Sequence, residues 1–123
     1  MTTQAVADRL VELCRQGQNE QAYLELFHPD AIAVEPEGAP NATTEGLAAL
    51  LAKNAEFGQS LEAMHASTVS DPLVADNFFA VNMMLDATFK GMGRMKMEEI
   101  VLYQVQDGKI VKEQFYYTIN MPG

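Results

Sequence analysis

Glu35, His65, Glu99 and Tyr117 are the side chains whose type and neighbourhood could hold or move a proton. Glu35 stands directly before Pro36, at the end of the apolar run Ala31-Ile32-Ala33-Val34. It is either a carboxylate presented by a strand end or a solvated acid beside Glu37. Glu98 and Glu99 are adjacent, so in a strand only one can face inward. The alternation Met95, Met97, Glu99, Val101 selects Glu99. A lone inward carboxylate is costly unless partnered, so Glu99 either does chemistry or pairs with a nearby donor. His65 shares a strand phase with Leu61, Ala63 and Ser67. It could exchange a proton near neutral pH, or pack as a core imidazole bonded to Ser67, Tyr117 or a carbonyl. Glu113, Phe115 and Tyr117 share one phase of the last strand, where Tyr117 could donate to a ligand carbonyl or end at a rim. His28, beside Pro29 and Asp30, is expected to be exposed, and Cys14 to be core. Two distant histidines and one cysteine make no metal-ligand spacing, so neither a metal nor a cofactor is expected.

These residues need elements to hold them. Val6, Leu10, Leu13 and Cys14 form one apolar stripe, which predicts a helix from about Thr3 to Gln16 that stops at Gly17. Asn19 is expected to N-cap a short second helix with Ala22, Tyr23, Leu26 and Phe27 on its buried side, ended by His28-Pro29-Asp30. Ala31 to Val34 is a short strand and Glu37 to Thr44 a loop. A third helix runs from about Glu45 to Phe57, with Leu47, Leu50, Leu51 and Asn54 on one face. After Gly58 the period turns from helical to alternating. Four strands are expected: Ser60 to Ser70, Asn77 to Lys90, Arg94 to Gln106 and Lys109 to Asn120. Asp107-Gly108 is a tight-hairpin signal. Three helices followed by a mostly antiparallel meander predict an α+β fold. The strands are apolar on both faces, and three helices cover only one. The outer face, with Ile100 and Leu102, is therefore expected to meet a second copy.

Composition narrows the partners. At 123 residues the chain is expected to be one domain spanning 1–123, and 48% hydrophobic content gives it a core. The net charge of −9 argues against nucleic acid, whose affinity comes from cations on phosphates, and against an anionic membrane surface. No apolar run approaches the ~20 residues of a membrane span. No signal peptide is visible at Met1-Thr2-Thr3-Gln4, and one cysteine excludes an intrachain disulfide. A cytoplasmic location is expected. Met83, Met84, Met92, Met95 and Met97 cluster on one hairpin, as adaptable lining or as core filler.

The run Leu26-Phe27-His28-Pro29-Asp30-Ala31-Ile32-Ala33-Val34-Glu35-Pro36, the helix start Gly46-Leu47 and the hairpin from Val105 to Tyr117 resemble the nuclear-transport-factor-2-like superfamily. Within it they resemble the SnoaL-like polyketide cyclase and ketosteroid isomerase branch. The resemblance covers nearly the whole chain and its motifs are loose. It implies a cone-shaped bent sheet wrapped round the N-terminal helices, an apolar pocket at the open end, and a homodimer through the outer sheet face. Leu10, Leu13, Leu51, Asn54, Met97, Val101, Glu113 and Phe115 are expected to line that pocket. Glu35 falls where the isomerase carries its proton-moving Asp, and an apolar wall would raise a carboxylate toward the proton affinity a base needs. The isomerase's oxyanion donors are a Tyr and a protonated Asp. Their places fall on Leu10 or Val11 and near Val101, so the same isomerisation is not expected. The acid/base Asp of the cyclases falls near Thr118 and Asn120, which departs from that reaction too. Related dehydratases use pocket histidines, which makes His65 the reserve acid/base.

Two function classes follow. One is an acid/base enzyme of isomerase, cyclase or dehydratase type acting on an apolar, oxygenated small molecule. The other is a non-catalytic dimeric module for ligand or protein binding. Convergence of Glu35, His65, Glu99 and Tyr117 on one cavity separates them.

Overall fold

The computed structural model describes residues 1–40 and 42–119. Three helices and seven strands follow in the order α1 (Thr3–Arg15), α2 (Asn19–Leu26), β1 (Phe27–Val34), β2 (Thr43–Glu45), α3 (Leu47–Ser60), β3 (Leu61–Val69), β4 (Leu73–Ala75), β5 (Phe78–Phe89), β6 (Gly93–Gln106) and β7 (Lys109–Tyr116). Thr2 caps α1 by accepting from the Ala5 amide at 3.0 Å. Val6, Ala7, Leu10, Val11 and Leu13 give α1 its buried stripe. Asp107 and Gly108, at φ 52° and 77°, make the tight turn between β6 and β7. A Cβ on Gly108 would lie 2.9 Å from the Met1 nitrogen, so this position excludes a side chain twice over.

The strands form a curved, unclosed mixed sheet in the order β2-β1-β7-β6-β5-β3, with β4 on β5. Only the β1–β7 pairing is parallel among the described strands. Long, unbroken antiparallel pairing of β5 with β6 fixes which residues face the helices: Val81 opposes Val101, Met83 opposes Glu99 and Leu85 opposes Met97. Across β6 and β7, Tyr103 opposes Glu113 and Val101 opposes Phe115. Phe79, Val81, Val101 and Tyr103 meet Leu10, Leu13, Leu26 and Leu50 from the helices in one core. The opposite phase carries Phe78, Ile100 and Tyr116, which stay exposed on the outer face.

Several boundaries differ from the sequence expectation. β1 begins at Phe27 rather than Ala31 because the chain enters the sheet on leaving α2. Five residues of β1 then advance against two of β7, a bulge that absorbs Pro29. β2 lies inside the expected loop, and β4 is an added short strand. α3 continues to Ser60. Asn120, the expected end of the last strand, lies outside the described residues. No described helix is long and apolar enough to cross a membrane.

Candidate active site

A cavity of about 550 Å³ opens between the helices and the inward sheet face. That volume lies within the ordinary range for small-molecule sites. α3 supplies Leu50, Lys53, Asn54 and Phe57, spaced i, i+3, i+4 and i+7 along one helix face. α1 and α2 supply Leu10, Cys14, Ala22 and Tyr23, and the sheet supplies Met83, Met97, Glu99, Tyr103, Glu113 and Phe115. Most of this surface is apolar or aromatic, so the few polar groups on it are the chemically informative part.

Glu35 follows the end of β1 and is held at both carboxylate oxygens. Lys53 Nζ donates to Oε1 at 2.7 Å, and the Tyr117 hydroxyl donates to Oε2 at 2.8 Å. Burial, and then the bond to Glu35, push the Tyr117 hydroxyl up to about 12. An apolar wall was the expected setting for Glu35; the wall is instead furnished with a cation and a hydroxyl for it. Lys53 also lies 5.8 Å from the centre of the Phe115 ring. Glu99 differs from Glu35 in having no hydrogen-bond partner among the described residues. Burial first, and the nearby Glu35 charge second, push it up to about 7, while Lys53 pulls the other way. Glu113 is only 3% exposed and accepts from the Tyr23 hydroxyl at 2.8 Å. Burial raises it to about 7 despite that bond and despite Lys53.

Of the residues expected at the site, Glu35, Glu99, Glu113, Leu10, Asn54, Met97 and Phe115 border this cavity. Tyr117 reaches it through Glu35. His65 does not. Two residues of β3 advance against one of β5 between Met64 and Ala66, so Met64 takes the inward place and His65 is turned out. Its Nε2 lies 2.7 Å from the Thr88 hydroxyl in an exposed position. Leu13 and Val101 belong to the packed core behind the wall, and Leu51 lies half-buried off the lining face of α3. His28 is half-buried, its Nδ1 accepting from the Asp30 amide. Cys14 borders the cavity rather than filling the core, but burial pushes its thiol up to about 11, far from a thiolate. Lys53 and Tyr23 are functional candidates that the residue types alone did not single out. A lysine at i+3 from Leu50 and one residue before Asn54 was the available signal. Nothing in the sequence pairs Tyr23 with a carboxylate ninety positions away. Among the described residues, no three His, Cys, Asp or Glu side chains are grouped to hold a metal.

The buried Glu113 makes stability depend on pH. In the unfolded chain it loses its proton near 4.5, whereas the folded state keeps it to about 7. Its contribution is therefore full below about 4.5, falls as pH rises toward 7, and is flat beyond. The loss amounts to about 3 kcal/mol at the ordinary cost per pH unit. Carboxylates paired with arginine, such as Glu25 and Asp86, are shifted downward and act in the opposite sense at lower pH. The clean quantity is therefore the difference in urea stability between wild type and Glu113→Gln. It should move in favour of the variant between pH 5 and pH 7.5, and a constant difference would contradict an acid held neutral at this place.

The chain matches the family model described as a SnoaL-like domain over residues 1–117. A solved structure from Mesorhizobium loti, assigned to the SnoaL-like polyketide cyclases, is 35% identical with a TM-score of 0.89. It covers 95% of this chain and 100% of its own. A Xanthomonas campestris protein of unknown function with a cystatin-like fold is 19% identical, with a TM-score of 0.78 over 94% of this chain and 90% of its own. A Catenulispora acidiphila protein with a ketosteroid isomerase-like fold, solved with trimethylamine, is also 19% identical. Its TM-score is 0.73, over 96% of this chain and 88% of its own. No curated protein matches the chain.

Proposed function

The chain belongs to the SnoaL-like domain family, and from that premise we propose that it is an acid/base enzyme that moves a proton next to the carbonyl of an apolar, oxygenated small molecule. The observation that carries this reading is Glu99: an inward carboxylate without a partner among the described residues, raised to about 7, on the wall of a mostly apolar cavity that also presents an ammonium. A general base works best with a proton affinity near the operating pH. Glu99 takes the α proton, and the electron pair of that C–H bond passes to the carbonyl oxygen. Lys53 has three N–H donors and gives one to Glu35, so the others are available to the developing enolate oxygen. Glu35 and Tyr117 orient Lys53. Return of the proton at the same or a neighbouring carbon completes an isomerase-, cyclase- or dehydratase-type step. Glu35, the base that the resemblance implies, becomes in this reading the anchor of the donor.

The test is exchange of the α protons of β-tetralone with deuterated water, followed by NMR. Wild type should exceed the buffer rate and Glu99→Gln should not. A wild-type rate equal to buffer would leave the non-catalytic binding module as the better account. The same proposal includes a homodimer, supported by exposed Phe78, Ile100 and Tyr116 on the outer face, which the helices leave uncovered. Sedimentation at micromolar concentration should give twice the chain mass, and Ile100→Asp should return it to one. A cytoplasmic location rests on composition, with the single free Cys14 its main support.

A further inference from the structure

Exposure falls along β6 from Met97, 39% exposed, through half-buried Glu99 to Tyr103, 3% exposed. The cavity therefore has a mouth near Met97 and a buried end at Tyr103. There the Tyr103 ring is fixed by its neighbours: Phe79 stacks on it at 4.7 Å and Phe27 meets it edge-on at 6.3 Å. Its hydroxyl bonds to no described residue. It is also not among the fully enclosed atoms that lack a partner, of which the described residues contain none, so it keeps surface toward the cavity it borders. Glu113 stands directly opposite on β7, also bordering the cavity, with Oε1 taken by Tyr23. A hydroxyl held rigidly at the buried end of a cavity, with open surface and no protein partner, is placed to bond a ligand or a water.

We propose that Tyr103 and Glu113 form a second polar subsite, at the buried end of the cavity, that takes a neutral hydroxyl group at the far end of the substrate. A hydroxyl both donates and accepts, so it can accept from the Tyr103 hydroxyl and either accept from the neutral Glu113 acid or donate to its carboxylate. An anionic group is excluded. Of the two cations bordering the cavity, Arg15 is engaged with the Val69 carbonyl and Asp71, and Lys53, bonded to Glu35, is assigned to the enolate oxygen at the Glu99 end. Glu99 and Tyr103 are four positions apart, roughly 13 Å along a strand. A two-ring molecule with oxygen functions at opposite ends bridges that span once the side chains reach inward. The orientation, carbonyl at Glu99 and hydroxyl at Tyr103, rests on the enolisation reading above; occupancy of the subsite does not.

The experiment compares β-tetralone with its 6-hydroxy derivative, titrated into the full chain at pH 6.5 and read by NMR line shifts. The hydroxy compound should bind about tenfold tighter, the worth of one well-made buried hydrogen bond. Tyr103→Phe, which removes one oxygen from a ring otherwise held in place, should abolish the difference. Glu113→Gln, which keeps its volume, should reduce it. Glu99→Gln should preserve it while losing proton exchange, so failure of the catalytic reading and failure of the subsite give different results. Equal affinities in wild type, as a subsite holding only a water would give, overturn the proposal. So does a preference that survives Tyr103→Phe, or failure of both compounds to bind.

Discussion

Glu99→Gln should lower proton exchange of the ketone by a hundredfold or more and change ketone binding by no more than a few-fold. The substitution keeps shape and volume and removes only the ability to accept a proton, a loss typical of general bases. The pH dependence supplies an independent check. The active form of a base is ionised, so kcat/KM should rise about tenfold per pH unit and level off above about 7, where Glu99 loses its proton. Glu35 is the second cause of that raised value. Glu35→Gln should therefore shift the midpoint to lower pH, while also loosening Lys53. A Glu99→Gln enzyme with undiminished exchange, or a wild-type profile with no limb near neutrality, would remove Glu99 from the role.

The contrast between Glu99 and His65 explains how far side-chain alternation can be trusted. Glu99 was placed inward by its phase with Met97 and Val101, and the unbroken pairing of β5 with β6 keeps that phase along twelve residue pairs. Glu113 and Phe115 face inward because β7 advances two residues against one of β6 just past the Asp107-Gly108 turn, between Ile110 and Lys112; the turn alone would have put Lys112 and Gln114 there. β3 is an edge strand bound on one side only, and its two register shifts cost little there. A single extra residue at such a shift reverses the facing of everything beyond it on one side. His65 was misplaced by that residue, while Ser67, on the far side of the shift, still borders the cavity.

The helices taught a different limit. The stripe Leu47, Leu50, Leu51 and Asn54 was legible from apolar spacing, but the cavity face is Leu50, Lys53, Asn54 and Phe57. A lysine inside an apolar stripe ordinarily snorkels to water, which is why its type conceals it. The partner that holds it, Glu35, comes from a different element eighteen residues earlier. Pairings of this kind, and that of Tyr23 with Glu113, depend on how helices dock on the sheet, which no local pattern encodes.

Lys53→Met should lower exchange by a hundred- to a thousandfold, because it removes the only free donor assigned to the developing oxyanion. The effect on stability should be much smaller, about 1 kcal/mol. The Lys53 side chain is 40% exposed, so water screens the pair even though the Glu35 side chain is only 14% exposed. Tyr117 remains as a donor to Glu35 in the variant. The substitution should also act on the base. Lys53 holds Glu99 down, so without it the limb of the pH profile should move to higher pH. Adding Glu35→Gln separates these effects. The double variant no longer holds a carboxylate without its cation and should regain most of the lost stability. Its pH limb should return toward lower pH, because the neighbouring charge is gone as well. Exchange should stay low, because neither change restores a donor at the enolate oxygen. Recovery of exchange in the double variant would mean that Lys53 serves only to neutralise Glu35, and the oxyanion donor would then have to be sought in Asn54, its neighbour on the same helix face.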